Sequence, residues 1–198
     1  MKDWEDPAGV WSDLPDTMLE ELDQQRHASP PTPPLKDFMT MIKQNELPDN
    51  PGVIAPPPLI YAGPLAVGLL LNLKFPMRFL PRKVAPMLGL TLIGTSVFII
   101  SQAYPRMRHA GTNVNPTEPT TVLVTEGPFK YTRNPLYLSL TLFYAGVAAL
   151  VNTLWAILLL PAVLLVMNRG VVAREERYLE RKFGEQYIQY KARVRRWI

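Results

Sequence analysis

The 198-residue sequence contains no cysteine and only two histidines, His27 and His109. Without cysteine there is no disulfide framework, no thiolate metal site and no cysteine nucleophile. The histidines are isolated from each other and from any carboxylate at metal-ligand spacing, so no metal site is predicted. A glycine-rich phosphate loop is also missing. These gaps exclude several common kinds of enzyme active site.

Charge is missing from three long stretches, residues 50–73, 84–105 and 134–168, which contain 24, 22 and 35 residues. A bilayer core about 30 Å thick takes roughly 20 apolar helical residues. The first two stretches therefore each fit one membrane crossing. A soluble helical bundle is the alternative, but three such runs would leave too little polar surface to cover a soluble core.

The third stretch is too long for one crossing and slightly short for two. Asn152-Thr153 lies near its middle, between the apolar segments Leu136–Val151 and Leu154–Met167. We interpret it as a tight helical hairpin that enters most of the bilayer and returns. The predicted fold is therefore an all-α integral membrane protein, with two crossings, a helical hairpin, a cytosolic loop and a carboxyl-terminal helix.

Charge also divides the chain into two parts. Residues 1–50 carry eleven Asp/Glu and four Lys/Arg, a net charge of −7, whereas the other 148 residues carry six and 17, a net charge of +11. The first part contains Pro30-Pro31-Thr32-Pro33-Pro34 and few branched apolar residues. We therefore predict a largely disordered acidic tail, with a short helix possible at Asp16–Gln25. Residues 51–198 are predicted to form a membrane domain, whose dispersed basic charge suits membrane lipids and not nucleic acid.

The distribution of Lys and Arg predicts the orientation in the membrane. Two crossings and a returning hairpin place the tail, the loop 106–133 and the carboxyl-terminal segment on one side. That side has Arg106, Arg108, Lys130 and Arg133, plus nine Lys/Arg after residue 168. The opposite loop, residues 74–83, has four. The larger total predicts a multi-pass protein whose loop 106–133 and carboxyl terminus face the cytosol.

The loop 106–133 contains most of the candidate chemistry. Val122–Val124 reads as a short extended run, and Gly127-Pro128 turns the chain. Asn134-Pro135 is a helix-start signal, because Asn can accept from a free backbone amide and Pro suits the first helical position. The electropositive end of such a helix suits a carboxylate or phosphate. The alternative is a plain helix cap beside a membrane-anchoring Arg.

The carboxyl-terminal segment is the second candidate site. Glu175 follows helical spacing with apolar residues on both sides and is predicted to project from an apolar face. A carboxylate there should have a cationic partner. The alternative is a structural pair with a local arginine such as Arg174. The basic and aromatic end, Arg193, Arg195, Arg196 and Trp197, suits anionic lipid headgroups.

These segments resemble the isoprenylcysteine carboxyl methyltransferase and phospholipid methyltransferase family. The resemblance rests on Ala110-Gly-Thr-Asn-Val-Asn-Pro, on Leu123-Val-Thr-Glu-Gly-Pro-Phe-Lys-Tyr-Thr-Arg-Asn-Pro-Leu-Tyr137, on Glu175-Glu176 and on Phe183-Gly-Glu-Gln-Tyr-Ile-Gln-Tyr190. It covers about residues 57–198, and its motifs are specific as a set. It implies an integral-membrane methyltransferase that uses S-adenosylmethionine, with the cofactor at the cytosolic end of the helices.

The resemblance also implies the site residues. Cofactor-binding residues would be Thr121, Val122, Leu123, Val124, Phe129, Asn134, Pro135, Leu136, Tyr137, Glu175 and Glu176. Thr121–Val124 would act largely through backbone groups. Candidate catalytic residues are Arg133, Tyr137 and Arg174. Tyr137 could also present its aromatic face to the sulfonium.

Two positions depart from the carboxyl methyltransferase branch of the family. Asn134 stands where that branch has histidine, and a substrate-linked arginine of that branch falls near Val171, so that Arg169 or Arg174 would have to substitute. The predicted acceptor is lipophilic or lipidated, either isoprenylcysteine carboxylate-like or phospholipid amine-like. The alternatives are a membrane sterol or lipid reductase that uses NADPH, which shares a helical hairpin and an Arg-His-Pro-like block, and a non-enzymatic membrane scaffold.

Overall fold

The computed structural model describes residues 48–197 and seven isolated positions before them, residues 17, 18, 20, 21, 24, 34 and 35. The chain divides into two units, Met1–Leu47 and Pro48–Ile198. The predicted disorder of the acidic tail and the predicted short helix at Asp16–Gln25 fall largely outside the described residues.

Residues 48–197 form helices and connecting loops, with no strand among them. The helices are α1 (Pro57–Lys74), α2 (Val84–His109), α3 (Pro135–Val151), α4 (Leu154–Met167), α5 (Ala173–Phe183) and α6 (Glu185–Arg193). A 3-10 turn at Gly127–Lys130 lies between α2 and α3, and a π-helical turn at Asn168–Val172 joins α4 to α5. The predicted all-α fold is confirmed, and Val122–Val124 lies in a loop without regular secondary structure.

Among the described residues, two helical segments are long and apolar enough to cross a membrane. They are Val84–His109, with 26 residues and a mean hydropathy of 1.9 in its most apolar window, and Leu154–Phe183, with 30 residues and a value of 2.1. Only 17% of the first window is buried inside the protein. Such an outward-facing apolar surface is typical of a helix that contacts lipid. Helix α3 is also apolar but shorter, at 17 residues.

The turn between α3 and α4 is built around Asn152, as the sequence predicts for a hairpin. Asn152 adopts a left-handed conformation with φ 55° and ψ 52°, which asparagine tolerates better than most residues. Its side-chain oxygen accepts the backbone N–H groups of Phe79 (3.1 Å) and Leu80 (3.0 Å), and its amide donates to the Leu80 carbonyl at 2.8 Å. The hairpin turn and the α1–α2 loop therefore meet at one end of the helices.

The two arms of the hairpin pack mainly against different partners, α3 against α2 and α4 against α1. The α2–α3 contact is close because it involves glycines on both helices. A Cβ atom at Gly89 would lie 2.6 Å from the Leu150 backbone nitrogen, and one at Gly146 would lie 2.8 Å from Cγ1 of Ile93. Small residues permit such close approach between membrane helices.

The buried core lies between α1, α3, α4 and the π-helical turn. It contains Tyr61, Tyr137, Tyr144, Ala148, Ala156, Val163, Met167, Val171 and Val172. Tyr137 belongs to the first turn of α3, at the opposite end of that helix from Asn152. The core therefore supports the end of the bundle where the sequence motifs meet.

Candidate active site

A cavity lies between the α2–α3 loop, the first turn of α3, and helices α5 and α6. It holds ≈ 810 Å³ of empty space, part of which is open to solvent. Eleven of the thirteen predicted site residues line it: Val122, Leu123, Val124, Phe129, Arg133, Asn134, Pro135, Leu136, Tyr137, Glu175 and Glu176. The family motifs, which are far apart in the sequence, thus form one site.

The loop segment that contains Val122–Val124 is held by hydrogen bonds from the two residues that precede it, Thr120 and Thr121. The Thr121 N–H donates to the Thr112 hydroxyl at 3.2 Å, and the Thr121 hydroxyl donates to the Gly111 carbonyl at 2.7 Å. The Thr120 N–H donates to the Tyr178 hydroxyl of α5 at 3.0 Å. Thr121 is therefore outside the cavity, where it orients the segment that lines it.

The Gly-Pro-Phe turn brings Phe129 into the wall of the cavity. Gly127 has a φ of +61°, and a Cβ atom there would overlap the Arg106 side chain. Glycine therefore satisfies both the left-handed conformation and the close approach of Arg106. The Phe129 carbonyl accepts the Tyr190 hydroxyl at 2.7 Å, which ties this turn to α6.

Helix α3 begins as predicted, with Asn134 at the cap and Pro135 at the first helical position. The expected capping hydrogen bond is wrong, because the Asn134 side chain caps no backbone amide. Its amide instead donates to the Arg196 carbonyl at 2.9 Å. The electropositive start of the helix is thus left without a side-chain cap at the edge of the cavity.

Arg133 and Glu176 form a buried ion pair at the cavity wall. Nη2 of Arg133 lies 3.1 Å from Oε1 of Glu176, and the two side chains are 9% and 7% exposed. Among the described residues, Nε and Nη1 of Arg133 have no hydrogen-bond partner. Unsatisfied guanidinium donors are rare in buried positions. Nε and Nη1 lie on different edges of the guanidinium group, and each is available to donate to an acceptor oxygen of an anionic ligand.

Glu175 has a different partner from the one that its position in the sequence suggests. Oε1 of Glu175 accepts the Tyr137 hydroxyl at 2.7 Å. Within residues 48–197, Glu175 forms no ion pair, so the expected cationic partner is wrong for that part of the chain. The nearby Arg174 is exposed and donates to the Gly52 carbonyl at 2.6 Å. The cavity therefore contains one neutralised glutamate and one without a cation.

Arg174 and Arg169 do not reach the cavity. Both side chains are exposed, and neither contributes to its lining. Arg174 instead helps to hold the N-terminal strap, residues 48–54, against α5. The Ile54 N–H donates to the Gly170 carbonyl of the π-helical turn at 3.3 Å. The substrate-linked role considered for these arginines has no geometric support in residues 48–197.

The N-terminal strap crosses α5 and reaches the cavity through Pro51. The Asp49 carboxylate accepts the Tyr178 hydroxyl at 2.8 Å and pairs with Nζ of Lys182 at 2.6 Å. The Lys182 hydrogen bond, followed by that of Tyr178, lowers the pKa of Asp49 below its ordinary value of 3.8. The strap therefore contributes Pro51 to the cavity wall, which composition alone did not indicate.

Two tyrosines of α6 are site residues that the residue-by-residue assignment missed. Tyr187 and Tyr190 both line the cavity. Burial raises the pKa of Tyr190 to about 12 and also raises that of Tyr187, so both hydroxyls are neutral at physiological pH. Both tyrosines belong to the Phe183–Tyr190 motif, which could have indicated them. The Gly-Thr-Asn-Val-Asn-Pro block likewise contributes Thr112, Asn113 and Val114.

The basic end of the chain differs from the lipid-facing cluster that its composition suggests. Nε of Arg196 donates to Glu176 at 3.0 Å, and its Nη1 donates to Oδ1 of Asn168 at 2.9 Å. Trp197 is half-buried against the core. Arg193 and Arg195 have exposed side chains. Only these two fit the expectation of headgroup contact.

The described residues contain no group of three or more His, Asp or Glu side chains that could hold a metal ion. The cavity instead combines backbone groups of an apolar loop, aromatic rings, an arginine with free donors and a carboxylate. This set can bind a ligand that carries both a negative and a positive group beside an apolar or aromatic portion.

Comparison with known proteins gives a family match. The family model described as phospholipid methyltransferase matches residues 84–186, just over half of the chain. A protein of Haemophilus influenzae, described as an uncharacterized protein, is 43% identical over 63 residues, which are 32% of this chain and the whole of that protein. No solved structure matches the chain.

Proposed function

Because the chain belongs to the phospholipid methyltransferase family, we propose that it transfers a methyl group from S-adenosylmethionine to a lipophilic acceptor at the membrane. The supporting observation is the cavity in which buried Arg133 has two free donors and Glu175 lacks a cation among the described residues. The cofactor's amino-acid portion carries a carboxylate and an ammonium group. The two side chains are complementary to those two charges.

Each part of the cavity would then have a defined task. Arg133 and the uncapped start of α3 would hold the cofactor carboxylate. Glu175, fixed by the Tyr137 hydroxyl, would accept from the ammonium group or from ribose hydroxyls. The backbone of Val122–Val124 and the ring of Phe129 would hold the remaining polar and aromatic portions.

The cofactor supplies a methyl group on a positively charged sulfur, and the acceptor must approach that methyl group in line, at roughly 3–3.5 Å. The chain's part is to orient both molecules and to exclude water. The buried rings of Phe129, Tyr137, Tyr187 and Tyr190 would provide an enclosed aromatic wall for this purpose. A neutral aromatic face also tolerates positive charge on sulfur.

A second groove supports a lipophilic acceptor. It lies between α3 and α4 and is lined by Leu138, Thr141, Pro161, Leu164, Leu165, Asn168 and Trp197. Leu138 follows Tyr137 on the same helix, and Asn168 bonds Arg196, whose partner Glu176 lines the cavity. We propose that the hydrocarbon part of the acceptor occupies this groove. Its reacting group would then approach the cavity from the bilayer.

The proposal includes the orientation in the membrane. The phospholipid methyltransferase family match and the two long apolar helical segments among the described residues indicate a membrane protein. We propose a multi-pass topology with the cavity facing the cytosol, supported by the excess of Lys and Arg around the cavity end.

The decisive experiment is incubation of the purified protein with methyl-labelled S-adenosylmethionine and a membrane lipid extract, followed by mass spectrometry of the labelled lipid. A labelled amine phospholipid or a labelled prenylated carboxylate would also identify the acceptor class. Binding of NADPH without binding of S-adenosylhomocysteine would instead favour the reductase. Binding of neither would favour a scaffold.

A further inference from the structure

The carboxyl-terminal segment, residues 194–197, lies along the residues that precede α3. The Arg133 N–H donates to the Arg195 carbonyl at 3.0 Å. The Thr132 hydroxyl (3.0 Å) and the Asn134 amide (2.9 Å) both donate to the Arg196 carbonyl. This segment lies beyond residues 84–186, which the family model matches. It nevertheless forms part of the support for the cavity wall.

Arg196 makes a two-point contact with the glutamate that Arg133 also contacts. Its Nε donates to Oε1 of Glu176 at 3.0 Å and its Nη2 donates to Oε2. Its third nitrogen, Nη1, is bound by Asn168 at the start of the π-helical turn. All three guanidinium nitrogens of Arg196 are therefore occupied. On Arg133, Nη2 lies 3.1 Å from the same carboxylate, and Nε and Nη1 have no hydrogen-bond partner among the described residues.

Because Arg196 occupies both oxygens of Glu176, two donor nitrogens of Arg133 remain without a partner among the described residues. A carboxylate and a guanidinium prefer a two-point contact when nothing else competes for the oxygens. If Arg196 were removed, Glu176 would be free to turn and engage Arg133 with both oxygens. Such a contact would occupy one of the two donors, Nε and Nη1, that are free in the described structure.

We propose that Arg196 is a positioning residue that keeps Arg133 available for a carboxylate ligand by holding Glu176 in a two-point contact. The inference rests on the proposed function, because the ligand in question is the carboxylate of the cofactor's amino-acid portion. It assigns a role in ligand recognition to a residue outside the matched family region.

The test compares two ligands that differ in that portion. S-adenosylhomocysteine has the carboxylate, whereas methylthioadenosine lacks the whole amino-acid end. In Arg196→Gln we expect the affinity for S-adenosylhomocysteine to fall by about tenfold, a usual size for coupling within a charged network. The affinity for methylthioadenosine should stay within about twofold, because its contacts do not involve Arg133. Isothermal titration calorimetry in detergent would measure both affinities.

Two further variants make the result specific. Arg196→Lys keeps the charge but not the two-point contact, so we expect an intermediate loss for S-adenosylhomocysteine alone. Arg193→Gln removes an exposed arginine of the same segment and should change neither affinity. Thermal unfolding without ligand would establish that each variant is folded, and Arg196→Lys provides the measurement if Arg196→Gln is not.

Equal losses for both ligands would overturn the inference, since they would indicate a general collapse of the cavity. Unchanged affinity for S-adenosylhomocysteine in a folded Arg196→Gln would overturn it as well. Failure of the proposed function has a different signature, because wild-type protein would then bind neither ligand.

Discussion

Two adjacent glutamates at the start of α5 have unlike surroundings. Glu176 is held by Arg133 and Arg196, whereas Glu175 bonds the Tyr137 hydroxyl. A carboxylate between two guanidinium groups is already neutralised and has little capacity for a further cation. Glu175 keeps that capacity. The difference in pairing therefore makes Glu175, and not Glu176, the candidate for binding a cationic group of a ligand.

Glu175→Gln should weaken binding of S-adenosylhomocysteine by roughly 1.5–3 kcal/mol, the range for a hydrogen bond that involves a charged group, or about one to two decades in affinity. The thermal stability of the ligand-free protein should change little, because Gln can still accept from Tyr137. Titration calorimetry on both proteins would measure the effect. Glu185→Gln, an exposed acid on α6, is the control, and equal affinity in all three would remove Glu175 from the site.

At the scale of elements, the close contact between α2 and α3 depends on glycine. Gly89→Ala places a Cβ atom 2.6 Å from the Leu150 backbone nitrogen, whereas nothing lies within 4 Å of the position of a Cβ atom at Gly94. Because backbone cannot yield as a flexible side chain does, we expect Gly89→Ala to destabilise the protein by roughly 1–3 kcal/mol. Gly94→Ala on the same helix should be neutral or slightly stabilising. Thermal unfolding in detergent would compare them, and equal effects would contradict the packing account.

The N-terminal strap is held to α5 by a pair that titrates. Because the folded-state pKa of Asp49 is lowered, its stabilising contribution is complete above the ordinary value of 3.8 and is lost as the pH falls through the lower folded value. An NMR titration of the Asp49 carboxyl carbon should therefore give a pKa below 3.8 in wild type. In Lys182→Met the value should rise, since the strongest hydrogen bond is gone. A titration that is identical in both proteins would mean that the strap is not held by this pair.

At the scale of the whole molecule, the bundle has two chemically different ends. One end contains Asn152 and the loop 74–83, and the other contains the cavity, the N-terminal strap and residues 194–197. The cavity end contains most of the Lys and Arg in residues 51–198. Since the two ends are connected by helices long enough to cross a bilayer, they should face opposite compartments.

Site-directed labelling can test this arrangement, because the chain has no cysteine of its own. Thr117→Cys, in the exposed part of the loop 106–133, should react with a membrane-impermeant reagent only from the cytosolic side. Arg78→Cys, exposed in the opposite loop, should react only from the other side. Labelling of both from one compartment would contradict a multi-pass topology, and the inverse pattern would reverse the orientation.

The sequence alone determined the helical class, the hairpin and the segments that meet at the cavity. Long uncharged runs predict helices, because a segment inside lipid excludes unpaired charges and must satisfy its backbone hydrogen bonds internally. Asn152-Thr153 indicated the hairpin turn because it lies near the middle of an uncharged run that is too long for one crossing. The motif blocks indicated most of the cavity lining, including Phe129 and Tyr137.

Which charges pair depends on the tertiary fold and could not be predicted from the sequence. The π-helical turn at Asn168–Val172 adds about one residue to the turn and so rotates everything after it by roughly 100° relative to an uninterrupted helix. Helical spacing therefore did not show that Glu175 meets a phenol while Glu176 meets two arginines. Arg196 is 20 residues from Glu176 and 28 from Asn168 in sequence. Contacts between residues so far apart depend on how the helices pack, which a local sequence pattern does not predict.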